Sequence, residues 1–447
     1  MSVSRVKKIT TAISFLTLLV LLFLLAPSLI YRRGDTFGPS SRQRQIIWLS
    51  KRIVAEIAAA AVSVWDPYRE RMISASIGPA ENDRESVDSP LFSSRDKLQS
   101  FFNEDSVFQS GIVRYFTNDT LPQCIFPFYY QTYAEPMLDS LDRLYGLSSL
   151  AVGEDNDYAL FKKMTRWLYN HFKDQQTRQS QIPIVDYNFN ALDILDRVGK
   201  GERFWCSEYS TALVQCLAAM GYTARYVMLG SGGEGHVLCE AWCETYGKWI
   251  MLDPYWSRIV TVDNVPLGVY EIHLLLFSPP NLARAEIVQL EKLRRDGPEP
   301  DFYFSLFRNF AVRMRNDWFT NKYPHWYPLS NSVMNAVEWQ DSLTVDNIYY
   351  KYETTRLEDL YWPLNRVRMS IHPGSGETLK VYLNTFTPNF SHFLIEHDST
   401  GIENIKTNNF TWKIDPGSNR LKVSSVNHWG IKGREVKLEI EREGFAR

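Results

Sequence analysis

The sequence predicts an α+β fold, preceded by an N-terminal transmembrane helix and followed by a C-terminal all-β sandwich. Three observations carry that expectation. Residues 9–31, ITTAISFLTLLVLLFLLAPSLIY, contain no charge. Between about 155 and 260, segments of helical period give way to strand-like runs. From about Arg366 onward, short stretches alternate apolar and polar residues between turn signals.

The uncharged run comes first. At about 1.5 Å per residue it can cross a hydrocarbon core of about 30 Å. It is longer than the apolar stretch of a cleaved signal peptide, and Arg32 and Arg33 follow it where a small-x-small cleavage site would stand, so residues 1–33 read as a retained signal anchor. Arg5, Lys7 and Lys8 place the short tail in the cytoplasm under the positive-inside rule. The chain then reads as a single-pass membrane protein with its bulk on the outer side, whether periplasmic, extracellular or lumenal.

Residues 34–150 read as a helical and loop-rich extension. Ile46, Ile47, Ile53, Ile57, Val62 and Val64 predict a membrane-proximal helix ending near Pro67, and the Ser-, Asp- and Pro-rich stretch 74–100 predicts a surface loop or linker. A length of 447 residues allows two to four domains, each with its own core. With 22% charged residues and a net charge of -2, no basic field points to nucleic acid and no acidic run to disorder. Five cysteines, an odd number, leave at least one thiol unpaired within the chain, and their spacing resembles no small disulfide scaffold.

Residues 151–275 form the expected core. Leu160, Met164, Trp167, Leu168 and Phe172 share one helical face. A second helix is predicted over Ser207–Met220, with Cys216 on its apolar face and Gly221 as its stop. Strands TARYVML, HVLCEAWCE and WIMLD follow, and GSGGEG between the first two reads as a flexible hairpin connection, since it lacks the Lys-Ser/Thr of a phosphate loop. Residues 276–365 are an aromatic-rich extension. Its Trp318, Tyr323, Trp326, Tyr327, Trp339, Tyr349, Tyr350, Tyr361 and Trp362 fit either core packing or a sugar- or peptide-binding groove. Residues 366–447 read as the sandwich, and NRLKVSSVNHWGIKGREVKLEIE resembles the last two strands of fibronectin type III or immunoglobulin-like modules.

The chemistry centres on GERFWCSEYSTALVQCLAAMG. A thiol is a strong nucleophile only as thiolate, and a helix N-terminus favours that anion through its free N–H groups and dipole. Cys206 holds that position. His236 is the single histidine between residues 172 and 272 and starts a strand, and Asp253 closes the next strand in a position to orient the imidazole.

The wording around these three, WCSEYSTALVQCLAAMGYTARYV and GHVLCEAWCETYGKWIMLDP, resembles the transglutaminase-like superfamily over about a quarter of the chain, residues 155–260. The resemblance implies a papain-like core, a helix carrying the cysteine packed on an antiparallel sheet. It also implies Cys206 as nucleophile, His236 as general base and later acid, and Asp253 as the orienting group. The shared chemistry of that superfamily is attack on an amide carbonyl to give a thioester. Trp205 departs from patterns with a small residue before the cysteine, and the backbone N–H of Cys206 is the default oxyanion donor.

The remaining candidates have structural readings. Glu208 charges the first helical turn, and Arg225 has a structural partner. Cys239 and Cys243 with His236 do not read as a zinc site, because four strand residues span roughly 13 Å. No metal or organic cofactor follows. Sequons at Asn118, Asn389 and Asn409 decide nothing about source. The expected function is a membrane-anchored cysteine enzyme cleaving or transferring an amide acyl group on a peptide, protein or cell-envelope substrate. The alternatives are a non-catalytic envelope protein that binds peptide or glycan, and an enzyme releasing glycan from glycoprotein.

Overall fold

The computed structural model describes residues 92–443 apart from 120, 122–123, 127, 173–189, 232–233, 294–296, 320–335, 345–351 and 399–400. The expected signal anchor, the membrane-proximal helix, and Tyr323, Trp326, Tyr327, Tyr349 and Tyr350 lie outside these. Among the described residues no helix is long and apolar enough to cross a membrane. The described chain is α+β, with several sheets in which antiparallel pairing dominates.

Helix α1 (Arg95–Glu104) belongs to the C-terminal unit. Three helices, α2 (Pro136–Tyr145), α3 (Asp157–Phe172) and α4 (Ala191–Gly199), build one layer around a fourth, α5 (Cys206–Ala219). In α5 every residue from Ser207 to Ala219 is buried, the mark of a helix covered on all sides. Helices α2, α3 and α4 pack against it, and so does the sheet. Its polar side chains find partners inside: Gln215 accepts the N–H of Ala191 at 2.6 Å, capping the next helix over. On α3, Leu160, Met164, Leu168 and Phe172 are buried as expected, while Trp167 is only half-buried at the edge of the same cluster.

The sheet against α5 contains β2 (Ala224–Ser231), β3 (Glu234–Cys243), β4 (Lys248–Leu252), β8 (Asn309–Arg313), β9 (Ala336–Trp339) and β10 (Tyr352–Thr354). Its order is β10-β9-β8-β2-β3-β4, antiparallel except for β9–β10. Along β3, Cys239, Ala241 and Cys243 pack in the cluster that contains α5, whereas Leu238 and Trp242 pack in a second cluster on the other face. This is the alternation that a pleated strand requires. The GSGGEG stretch lies in the expected hairpin, with strand pairing reaching further into it than its composition suggests. Pairing continues through Gly230↔Gly235 to Ser231↔Glu234, so the two strands extend to either side of residues 232–233.

A three-stranded sheet, β6-β5-β7, with β5 (Arg258–Val262), β6 (Val265–Pro266) and β7 (Ala285–Gln289), lies next in the chain. Two short helices belong to the same stretch of chain, α6 (Val269–Leu275) between β6 and β7, and α7 (Pro300–Ser305) after β7. In the aromatic extension Trp318, Trp339 and Trp362 are buried in the core clusters, so these described members pack and do not line an open groove.

The C-terminal unit has two antiparallel sheets around one core. One contains β11 (Val367–Pro373), β12 (Thr378–Thr385) and β15 (Asn409–Lys413); the other contains β13 (Phe390–His397), β14 (Gly401–Ile405), β16 (Gly417–Asn427) and β17 (Val436–Arg442). The second sheet gains a fifth strand, β1 (Gly111–Thr117), which pairs antiparallel with β17. Helix α1 packs there too, burying Leu98 and Phe102 in the same core as Val381 and Leu438. The linker expected over 74–100 therefore gives way to helix at Arg95, because burial of two large side chains outweighs a composition that reads as loop.

The two halves meet at the end of α5. Gly221 has φ +85°, and a Cβ there would lie 2.5 Å from Trp429. The Trp429 indole N–H donates to the Ala219 carbonyl at 3.1 Å, and the Asn427 amide donates to the Gly221 carbonyl at 2.9 Å. Side chains from the sandwich thus satisfy carbonyls that a helix C-terminus leaves open.

Candidate active site

Cys206 is the first residue of α5, after Trp205 in extended conformation (φ -89°, ψ 176°). The turn is held from within: Glu208, buried, accepts the Trp205 N–H at 3.1 Å and the Ser207 hydroxyl at 2.6 Å. Glu208 therefore fixes the backbone that presents the thiol, beyond the charge effect read from sequence. Cys206 is partly exposed, and Trp205 beside it is 59% exposed. Helix geometry gives the Cys206 N–H no intrahelical acceptor, so it remains a candidate oxyanion donor.

His236 stands near the start of β3 and is buried. Its Nε2 pairs with Asp253 Oδ2 at 2.9 Å, and the ring also hydrogen-bonds the Cys206 thiol. With Nε2 committed to Asp253, Nδ1 serves the sulfur. Burial opposes charge on this ring, but the charge and hydrogen bond of Asp253, together with the Cys206 sulfur, outweigh it and raise the imidazole from 6.5 to about 10. An imidazolium at neutral pH beside a thiol is the partner a thiolate needs.

Asp253 follows β4 and is fully buried. Its backbone pairs with Arg258 in both directions, at 2.9 and 3.0 Å, closing a tight turn. Oδ1 accepts the N–H groups of Tyr255 and Trp256 at 3.1 and 3.2 Å. Oδ2 accepts from His236 and from the Tyr303 hydroxyl, the latter at 3.0 Å. The turn returns Trp256 over the imidazole, stacked at 4.1 Å and 26°. One carboxylate thereby aims the ring and holds the turn that covers it.

The structure brings Cys206, His236 and Asp253 together. Sequence reasoning missed Tyr303 and Trp256; the adjacent Asp-Pro-Tyr-Trp signalled Trp256, but nothing local signals Tyr303. The other thiols differ in kind. Burial pushes Cys216, Cys239 and Cys243 up, so they stay protonated. Cys239 donates to the Ser210 carbonyl and Cys243 to Asp157, each at 3.2 Å, so neither shares a ligand position with His236. Among the described residues no group of three or more His, Cys, Asp or Glu is placed to hold a metal ion. The amide groups of Asn118 and Asn389 are bonded into the fold, whereas Asn409 is exposed.

No protein-family model matches the sequence, and no curated protein matches it. Among solved structures, the crystal structure of red sea bream transglutaminase aligns over 77% of this chain and 78% of that one, with 11% identity and a TM-score of 0.21. So loose an overlap adds nothing to what the geometry of the site carries.

Proposed function

We propose that this chain is a membrane-anchored cysteine enzyme that cleaves or transfers an amide acyl group through a thioester. The reading places a transglutaminase-like, papain-like core outside the cytoplasm, acting on a peptide, protein or cell-envelope substrate. One observation carries it: a partly exposed cysteine at a helix start touches a histidine whose far nitrogen is held 2.9 Å from a buried carboxylate.

The steps follow from that arrangement. The Cys206 thiolate attacks the amide carbonyl carbon, the C–S bond forms, and the carbonyl electron pair moves to oxygen, where the Cys206 N–H can receive it. As the tetrahedral adduct collapses, the C–N bond breaks and the His236 imidazolium gives its proton to the leaving amine. Water or a second amine then attacks the thioester, His236 takes its proton, and the thiolate leaves.

The test is iodoacetamide alkylation of the full-length protein against pH, with labelled sites identified by mass. Wild type is expected to label at Cys206 well below the pH at which an ordinary thiol, of pKa about 8.5, reacts. Cys206→Ala removes that label, and His236→Ala slows it at neutral pH. The mass of the acyl product from a glutamine-containing peptide, free acid or amine adduct, separates hydrolysis from transfer.

One observation favours the rival reading, a non-catalytic binder of peptide or glycan: His236 and Asp253 are buried and Trp256 covers the ring. Under that reading Cys206 labels no faster than an ordinary thiol and Cys206→Ala keeps its ligand.

A further inference from the structure

Asp253 carries a partner that the three-residue reading does not use. Tyr303 arrives from α7, 50 residues further along the chain, and its hydroxyl donates to Asp253 Oδ2, the same oxygen that receives His236 Nε2. The tyrosine is fully buried. Its ring meets Trp256 edge-on at 5.5 Å, and Trp256 stacks on His236, so α7 reaches the imidazole indirectly by two routes, a polar one through Asp253 and an aromatic one through Trp256. Burial first, and the Asp253 charge second, hold the phenol protonated, so it remains a donor at any pH where the site could work.

We propose that Tyr303 is a positioning residue of this site, acting through its hydroxyl on Asp253 to set both the aim of His236 and the negative charge that His236 meets. The proposal rests on the reading of Cys206, His236 and Asp253 as a catalytic group. A carboxylate oxygen that accepts two hydrogen bonds spreads its charge over both donors. Removing the phenol concentrates that charge on His236 and holds the imidazolium more tightly; strengthening the phenol as a donor does the reverse. The other groups facing the ring are Cys206 from α5 and Tyr255, 6.0 Å away, with Arg258 5.5 Å above the Tyr303 ring. None of these replaces a donor to Oδ2.

The experiment reads His236 itself, by NMR of the ring carbon in full-length protein across pH, together with Cys206 alkylation rates. Tyr303→Phe keeps the ring and removes the donor. It is expected to raise the His236 titration point by about half a unit or more, and to cut alkylation or amide turnover by about tenfold. Site-specific 3-fluorotyrosine at 303, a stronger donor, is expected to lower the titration point, which keeps the test alive if Tyr303→Phe fails to fold. Phe302→Ala, an exposed neighbour on α7, is the control and leaves the titration in place. An unmoved His236 titration in both Tyr303 variants, or the same shift in Phe302→Ala, overturns the proposal. Slow alkylation of Cys206 in wild type overturns the enzyme reading instead, and the sign of the His236 shifts still decides the role of Tyr303.

Discussion

Strand β3 presents two buried ion pairs on one stretch of chain, His236 with Asp253 and Glu240 with Arg225. The Glu240 pair is closed. Arg225 reaches Glu240 Oε2 through Nε at 3.0 Å and through its terminal nitrogen at 2.6 Å, and its other nitrogen donates to the Leu360 carbonyl. Glu240 Oε1 accepts the Val269 N–H at 2.7 Å and the Tyr361 hydroxyl at 2.9 Å. Trp249 and Tyr361 cover the guanidinium at 4.0 and 4.7 Å. The His236 pair is equally dry and its carboxylate equally saturated, but its imidazole also meets the sulfur of the partly exposed Cys206. A buried charge whose every valence is internal can only hold a fold together. One with a single valence turned to the boundary can hand a proton across it.

The sharpest way to break this contrast is Asp253→Asn. An amide has one acceptor oxygen for the four donors now on the carboxylate, and it favours the wrong tautomer of His236. On the proposed function, amide turnover is expected to fall by about 10²- to 10⁴-fold in kcat/KM. Next in size is Arg225→Ala. It leaves Glu240 charged and unpaired, and denaturant titration is expected to show a loss of about 3–5 kcal/mol. Cys206 alkylation in the folded protein stays within about twofold, and the double change Arg225→Met with Glu240→Leu recovers most of the stability. A large fall in alkylation for folded Arg225→Ala would join the two pairs into one network.

The pairs also separate by pH. His236 binds its proton more tightly in the folded than in the unfolded chain, so its contribution to stability is complete below about 6.5 and disappears as pH rises through about 10. The urea midpoints of wild type and His236→Gln are expected to converge across that window. For Arg225→Ala the gap is expected to stay level across the same window. The smallest effect belongs to the contact between the halves: Asn427→Ala removes the hydrogen bond to Gly221 and the two that its side-chain oxygen accepts from the N–H groups of Trp429 and Ile431, for a loss of about 2 kcal/mol and no change in alkylation.

Much of this was legible in the sequence because it is local. The break at Cys206 and the stop at Gly221 follow from residue type at a helix end, and β2, β3 and β4 follow from runs bounded by turns. Alternation likewise gave β12, β13 and β16. Arg225 was legible as needing a partner, because an arginine in an apolar strand must be paired, but not which one. What stayed hidden was non-local. Tyr303 looks like one aromatic among many, and its role depends on a hydroxyl meeting a carboxylate from another element. Helix α1 and strand β1 were hidden for the same reason, since the surface that buries them lies at the far end of the chain.

That pairing of β1 with β17 has a consequence for biosynthesis. The Thr117 hydroxyl accepts the Lys437 N–H across 320 residues, so the first strand of the sheet meets its neighbour only when the last has been made. At roughly 5–20 residues per second, this is a wait of tens of seconds. During it Phe102, Phe108 and Val113 have no core to enter, and everything that carries Cys206, His236 and Asp253 emerges between the two strands. The sandwich is thus a clasp that closes last, and a chain stopped after β16 leaves β1 without its partner and the β16 edge, covered by β17 in the complete sheet, open to other chains.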